Sequence, residues 1–436
     1  MSKIDEDWTT LHNLAKSRSR MFVSDPKLRE FLQEALLPRH RDAYLRLLDV
    51  ERMARGPVPR QDSDAMAPLD PSSLVGRWQE ACETLRELEE RFPERAELTA
   101  EICRDPRCRS DAFIWRLLDV GLPDVAEAAV LARLDAEGNP EGRKRNDYTT
   151  DLLAMCRAQN ANGERVEGDA CGAFEKLRRA TCMLRPGGDP YVSGKVLSYF
   201  ASACIALGRV ELAEETLERA FAIFDRNGLD SDAGEVLAKK AHALLLLGDD
   251  PRPLLEGFLQ EQSNNLRVRP QTISVAQLAL ASVLLYLHDG AGAAELLSSL
   301  SPFMPGSREE LWKRHYSAMV DFQKGRSLVA SLQFADVAQQ FLAVDQPNQG
   351  YFVLLFEALS LLEIGHYPEA RSAAFKAATY FSSSRFYGGV ARSAAEEILN
   401  ISDSISLSRE AIEKLIEKVL SPARKSPNGA QGHSPD

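Results

Sequence analysis

Apolar residues recur at every third or fourth position along most of this chain, and the period-two alternation of a half-buried strand is rare. Leucine and alanine carry the apolar faces while β-branched residues are thin, so nearly the whole chain reads as α-helix. Residues 1–55 predict two or three helices. One opens near Ser24-Asp25-Pro26 and puts Leu28, Phe31, Leu32 and Leu36 on one face; another covers Ala43–Met53 with Tyr44, Leu47, Leu48 and Met53. Gly56-Pro57-Val58-Pro59 then opens a stretch to residue 73 rich in proline, aspartate and serine, which predicts an exposed linker over 56–73. Helical periodicity resumes over Leu74–Phe92, Asp111–Asp119 and Val125–Leu134, so 74–140 forms a helical region leading into a more regular part.

That regular part is a repeat. Gly168, Gly208, Gly248, Gly325 and Gly365 mark it, and His288 holds the remaining place, giving steps of 40, 40, 40, 37 and 40 residues. Each marker stands between two helix-period segments and is usually followed five positions later by alanine: Ala173, Ala213, Ala293, Ala330 and Ala370. Alanine also precedes the marker at Ala201, Ala241, Ala281, Ala318 and Ala358. Small residues on both helices let an antiparallel pair approach closely, and glycine ends the first helix where a left-handed residue costs least. The pair around Gly248 is irregular, because Pro251 and Pro253 fit only the first turn of its second helix and Gly257 lies within it. Such units cannot bury their apolar faces alone and must stack. A further stripe, Ala411, Ile412, Leu415, Ile416 and Val419, predicts a helix over Ser406–Leu420 that closes the end of the stack, followed by a disordered tail over 421–436.

These positions resemble the tetratricopeptide repeat, with small residues in the first helix, a turn-former between helices and alanines in the second. Gly365-His-Tyr367-Pro-Glu-Ala370 is a good instance. The resemblance covers about residues 146–400, but its period is nearer 40 than the family's usual ~34, implying longer helices, as in the long-repeat proteins of bacteria. It implies an all-α fold: a tetratricopeptide-like right-handed α-solenoid of five or six helix pairs, with a helical N-terminal region and a C-terminal capping helix. It also implies that first helices line the concave side. The family's ligand-facing places fall on Trp312, His315, Met319, Phe322 and Gln323; on Phe352, Leu355, Leu359, Leu362 and Glu363; and on Val275, Leu278, Ser282, Leu285 and Tyr286. The partner-binding residues expected on this basis are Trp312, His315, Met319, Phe322, Gln323, Phe352, Leu355 and Leu359, an apolar groove for an extended segment or amphipathic helix of another protein. Longer helices covering the same residues would make them core instead.

Composition narrows the rest. No apolar run is long enough to span a bilayer, the acidic start Met1–Trp8 has no export segment, and all seven cysteines fall between Cys82 and Cys204, which suits a cytoplasmic protein with reduced thiols. The seven histidines are scattered without helical metal spacing, Cys103 and Cys108 lack a second pair, and phosphate-loop, dinucleotide and nucleophile-elbow motifs do not occur. Cys156, Cys171, Cys182 and Cys204 sit at apolar or small positions, as core residues would, and Asp230-Ser-Asp232 reads as a cap for a helix starting near Ala233. No cofactor, metal or catalytic residue is therefore expected. A net charge of −11 argues against nucleic acid bound across the whole surface, although Arg18, Arg20, Arg39, Arg41, Arg52, Arg55 and Arg143-Lys-Arg145 form local basic clusters. The reading is a non-catalytic scaffold or adaptor. The alternatives are a regulatory solenoid of a bacterial transcription or signalling system, whose basic N-terminal helices contact nucleic acid or polymerase, and a repeat subunit of a protease or defence effector complex.

Overall fold

The computed structural model describes residues 71–136, 148–262 and nearly all of 268–383 (269, 301, 304 and 345 aside), together with Ala395, Glu396, Ile398 and Leu399. The expected helices of 1–55, most of the linker, the Arg143-Lys-Arg145 cluster, the capping helix 406–420 and the tail 421–436 lie outside the described residues. Among the described residues there are 16 helices, 85% helical content and no strand.

Four helices lead in: α1 (Pro71–Arg91), α2 (Arg95–Arg104), α3 (Asp111–Asp119) and α4 (Pro123–Ala136), with a 3₁₀ turn at Pro106–Arg109. The second has no counterpart in the sequence reading, and the first begins inside the expected linker. Six antiparallel pairs follow: α5 (Tyr148–Glu167) with α6 (Ala170–Met183), α7 (Pro190–Ala206) with α8 (Val210–Arg226), α9 (Asp230–Leu247) with α10 (Arg252–Gln262), α11 (Pro270–Tyr286) with α12 (Gly290–Ser299), α13 (Arg308–Gln323) with α14 (Ser327–Ala343), and α15 (Pro347–Glu363) with α16 (Tyr367–Ser383). Each helix packs on its chain neighbours, and the first helices of successive pairs also touch, α5 on α7 and α9 on α11. The architecture is an all-α solenoid.

Every marker position adopts the same turn. Gly168, Gly208, Gly248, Gly325 and Gly365 have φ between 71° and 119°, and His288 has φ 61°, the one non-glycine residue at positive φ among those described. At each, the amide one residue further on donates to the carbonyl five residues back: Arg209 to Cys204 at 2.8 Å, Asp289 to Leu284 at 2.8 Å, His366 to Leu361 at 2.9 Å. This closure satisfies carbonyls that a helix end leaves without partners. The alanines then do what their size allows. Ala161, Ala201, Ala241, Ala281, Ala318 and Ala358 in the first helices are buried, as are Ala173, Ala213, Ala293, Ala330 and Ala370 in the second.

Two buried glycines extend the same logic. A β-carbon at Gly194 in α7 would lie 2.3 Å from the Phe224 ring of α8, and one at Gly234 in α9 would lie 2.4 Å from Phe258 of α10. These positions are 40 residues apart, so the ring-in-notch contact is itself part of the repeat. The larger aromatic gains more apolar burial than glycine loses in helix propensity, about 1 kcal/mol.

The core is not uniform along the stack. One apolar cluster runs from Ala81 to Ala243 and a second from Leu278 to Ile398. Between them lie two small clusters, Leu237 with Phe258, Val268 and Ala276, and Ala241 with Leu255, Leu280 and Val283. Pro251 and Pro253 explain the thinning: α10 starts late and buries only Leu255 and Phe258.

Two smaller expectations are corrected. Asp230-Ser-Asp232 is not a cap: α9 begins at Asp230 after Leu229, and Asp232 is buried inside its first turn against Lys195. Cys171 and Cys182 are exposed on α6, while Cys156 and Cys204 are core, because the inward stripe of that helix is Ala170, Ala173, Phe174, Leu177 and Ala180.

The strained turn yields a test. A left-handed L-residue costs about 1–2 kcal/mol, while glycine loses about 0.5–1 kcal/mol more chain entropy on folding, so His288→Gly is expected to stabilise the protein by about 0.5–1 kcal/mol. Chemical denaturation of the variant checks the sign; a lower midpoint at unchanged slope contradicts the turn geometry.

Candidate functional site

The last pair of helices returns to the first. Asn348, near the start of α15, donates from its side-chain amide to the Val166 carbonyl at the end of α5 at 2.8 Å, across 182 residues of sequence. The Tyr380 hydroxyl of α16 donates to the Asn348 side-chain carbonyl at 2.6 Å, and the Tyr380 ring stacks on Tyr351 at 4.2 Å. Asn348 is 2% exposed, so a buried amide is satisfied at both ends, as it must be to be tolerated there. Gly168 sits beside the same hydroxyl, where a β-carbon would come within 3.2 Å of it. This clasp completes one turn of the solenoid and encloses the face formed by its first helices.

That inner face carries polar groups at helical spacing. On α7 they are Tyr191, Lys195, Ser198 and Tyr199; on α9, Asp232, Glu235, Lys239 and His242. The Lys195 ammonium pairs with Asp232 at 2.9 Å and Glu235 at 2.7 Å and lies 5.7 Å from the Tyr191 ring centre. Burial works against this cation, but the two carboxylates more than offset it and hold its pKa well above the ordinary lysine value. Lys239 is differently placed. Its ammonium donates to the Ser198 hydroxyl at 2.7 Å and lies 5.6 Å from the Tyr199 ring centre, and no carboxylate reaches it within ion-pair distance among the described residues.

Burial pushes the Lys239 pKa down to about 7, and the cations Lys195, Arg165 and Arg308 push it the same way against a partial counter-pull from Glu235. Arg165 stands on α5 and Arg308 on α13, so Lys239 feels charge from helices that are not its neighbours in the chain. Arg308 also lies near Tyr316 of α13, whose hydroxyl pKa is raised by burial and eased by the Ser282 hydroxyl of α11. Lys239 and His242 are half-buried, and burial lowers the His242 pKa as well.

The residues expected to form an apolar groove lie elsewhere. His315, Met319, Phe322, Leu355 and Leu359 are buried, which corrects their assignment as partner contacts: they seal α13 against α14 and α15. His315 sits among Trp312, Tyr316, Phe334, Phe352 and Phe356, at ring distances of 5.0–6.5 Å, and burial depresses its pKa to about 3. Trp312 and Phe352 are half-buried, and Trp312 stacks on Tyr316 at 5.7 Å. Gln323 is exposed and its side-chain amide donates to the Leu285 carbonyl at 2.9 Å, joining α13 to α11.

The physical reason is packing, because rings of α14 and α15 cover this part of α13. Tyr199, Lys239 and Tyr316 stand one place after positions that the family register marks, whereas Lys195, Ser198, Glu235 and His242 stand on it. The sequence held a signal for the polar inner face, since Lys195 is the single charged residue in all of α7. A buried-helix lysine has to be matched or used.

Burial acts on four of the thiols as well. Burial raises the thiols of Cys103, Cys108 (to about 12), Cys156 and Cys204 (to about 11), the opposite of what a nucleophile requires. Among the described residues no group of three His, Cys, Asp or Glu is arranged to hold a metal, and no helix is long and apolar enough to cross a membrane. On the outer face, Leu328 and Leu332 of α14 and Phe375 of α16 are exposed.

The sequence matches no protein-family model, and no curated protein aligns with it significantly. Among solved structures the chain is similar to a signal-transduction ATPase with numerous domains that carries a tetratricopeptide repeat sensor, from Pyrococcus horikoshii. The identity is 14%, the TM-score 0.43, and the match covers 95% of this chain and 68% of that one. At that score the fold assignment rests on the helices themselves.

Two substitutions test this geometry. Phe322→Ala removes a core ring and is expected to cost about 3–5 kcal/mol of stability while its folded fraction binds any inner-face partner normally; an unchanged melting temperature would return Phe322 to the surface. Asn348→Ala strips the clasp of its central amide, and a loss of about 1–3 kcal/mol is expected together with a larger radius of gyration in small-angle X-ray scattering. Unchanged dimensions and stability would mean that the first and last pairs do not hold each other.

Proposed function

We propose that this chain is a non-catalytic binding protein, a helical-repeat scaffold or adaptor that holds a segment of a partner protein along the inner face of its six helix pairs. The observation that carries this reading is Lys239. A lysine inside the stack, bonded to one serine hydroxyl and with no carboxylate within ion-pair distance among the described residues, opposes folding: an apolar residue of similar size would fill the position at lower cost. Retaining a group that the fold would do better without is the mark of a surface kept for recognition. The neighbouring tyrosines Tyr191, Tyr199 and Tyr316 add large faces with polar tips, the residue type that dominates contact energy at interfaces. Enclosure by the clasp supports the same reading, because an enclosed wall offers contact on several sides of a bound chain.

Photocrosslinking separates the inner face from the outer one. A benzoylphenylalanine placed at Tyr199 or Tyr316 is expected to capture the same partner in native extract, whereas one at Leu332 or Phe375 is not. Capture from the outer positions alone overturns the reading and moves recognition to the convex side.

A further inference from the structure

We propose that Lys239 is a covalent ligand site, an amine that condenses with a small aldehyde to form an imine beside the Ser198 hydroxyl and the Tyr199 ring. The inference goes beyond partner binding and does not depend on it.

The first argument is the contrast between two bridges. Two lysines span α7 and α9, about one helical turn apart. Lys195 of α7 meets Asp232 and Glu235 of α9 at 2.9 and 2.7 Å, so its charge is matched on the spot. Lys239 of α9 reaches back to the Ser198 hydroxyl of α7 at 2.7 Å, and a hydroxyl carries no charge to match it. The other neighbours supply none. Tyr199 presents its ring at 5.6 Å, α11 carries no charged side chain, and the α8 carboxylates Glu214 and Glu218 take the adjacent Lys240. Arg252 of α10 pairs with Asp250, and neither Glu256 nor Glu261 of that helix makes an ion pair with Lys239 among the described residues. His242 follows Lys239 by three residues on α9, and burial favours its neutral form too.

An unmatched, half-buried ammonium gives up its proton easily, and the Lys239 pKa falls to about 7. Near pH 7 about half of these side chains carry the free amine, against roughly one in 2500 for an exposed lysine. Lys195 is half-buried as well, so exposure does not separate the two; the carboxylates do.

The second argument is the chemistry open to such an amine. Its lone pair is free to attack a carbonyl carbon. With an aldehyde, a C–N bond forms and the carbonyl π pair moves to oxygen, which takes a proton from the nitrogen through the Ser198 hydroxyl. The carbinolamine then loses water and leaves a neutral imine. That product removes the ammonium that burial disfavours, so the fold itself favours condensation. The Tyr199 ring gives an apolar face to the aldehyde's own substituent. Other electrophiles suit the place less well. Acyl transfer needs donors for a tetrahedral oxyanion, and Ser198, Tyr199 and Lys239 lie within helices whose amides are already used in the ladder. Carbon dioxide would leave a carbamate anion one turn from Asp232 and Glu235, which repel it.

The experiment treats the full chain with benzaldehyde and cyanoborohydride, which reduces an imine to a stable benzylamine, and maps the labelled lysines by mass spectrometry. At about pH 7, Lys239 is expected to be labelled at least ~10-fold faster than half-buried Lys195 and exposed Lys324. Its rate is expected to level off above about pH 8, while that of Lys324 keeps rising towards about pH 10. It is also expected to saturate with benzaldehyde concentration, as a binding site requires, and to lose its advantage in chemical denaturant. Ser198→Asp sets a carboxylate beside the ammonium, and is expected to move the pH profile upwards and cut labelling at about pH 7 roughly tenfold. Circular dichroism confirms the fold of that variant.

The proposal is overturned if Lys239 is labelled no faster than Lys195, if its rate climbs linearly with benzaldehyde, if its pH profile matches that of Lys324, or if folded Ser198→Asp is labelled like the unaltered chain. The comparison of Lys239 with Lys195 needs no variant, so it decides the matter should Ser198→Asp fail to fold. Inner-face crosslinking that succeeds while Lys239 stays unreactive sinks the aldehyde site and leaves the binding reading standing. Selective labelling with crosslinking confined to the outer face does the reverse.

Discussion

Close approach of two antiparallel helices at alanine is the constraint on which the rest of this molecule depends. Each pair turns back through one left-handed residue whose following amide reaches five residues back into the helix. The turn fixes where the second helix starts, and the buried alanines on both helices, such as Ala201 and Ala213 in one pair and Ala358 and Ala370 in another, leave room for it to lie close. Larger residues at these places would push the helices apart and shift every later pair, because a solenoid transmits a local error along its length. The Gly194–Phe224 and Gly234–Phe258 contacts use the same economy of space in the opposite sense, a notch that receives a ring.

Closure follows from accumulated small rotations. Six pairs bring Asn348 back to Val166, and one buried amide with the Tyr380 hydroxyl ties the ends. The clasp joins the N-terminal core, which ends near Ala243, to the C-terminal core, which begins at Leu278. These two bodies are otherwise joined through the thin clusters around α10, where proline shortens the second helix. A sparse link on one side and a hydrogen-bonded clasp on the other concentrate the easiest motion at those two places. The inner face lies between them.

The inner face also accounts for a stability that the fold forgoes. Lys195 is neutralised within the structure, since its two carboxylates overcome the penalty of burial. Lys239, one helix pair onward, has a hydroxyl and a ring, and its ammonium is accordingly destabilised. The contrast between two lysines in nearly the same environment separates a charge that serves the fold from one that the fold tolerates.

The all-α class, the pairing of helices and the place of each turn could be read from residue order, because they depend on local periodicity and on where glycine and alanine are affordable. His288 could be recognised as a turn residue purely from its spacing, and it does adopt a left-handed backbone. Which stripe of each first helix lines the interior could not be read that way. His315, Met319, Phe322, Leu355 and Leu359 satisfy the family register and are nonetheless core, since the decision rests on how α14 and α15 close over α13. The same register positions carry Lys195, Glu235 and His242 on the inner face of earlier pairs and the covered His315 and Met319 on α13, a distinction that periodicity does not contain. The clasp is further still from residue order: nothing local connects Asn348 with Val166, and only the summed rotation of the intervening pairs brings a side-chain amide to that carbonyl.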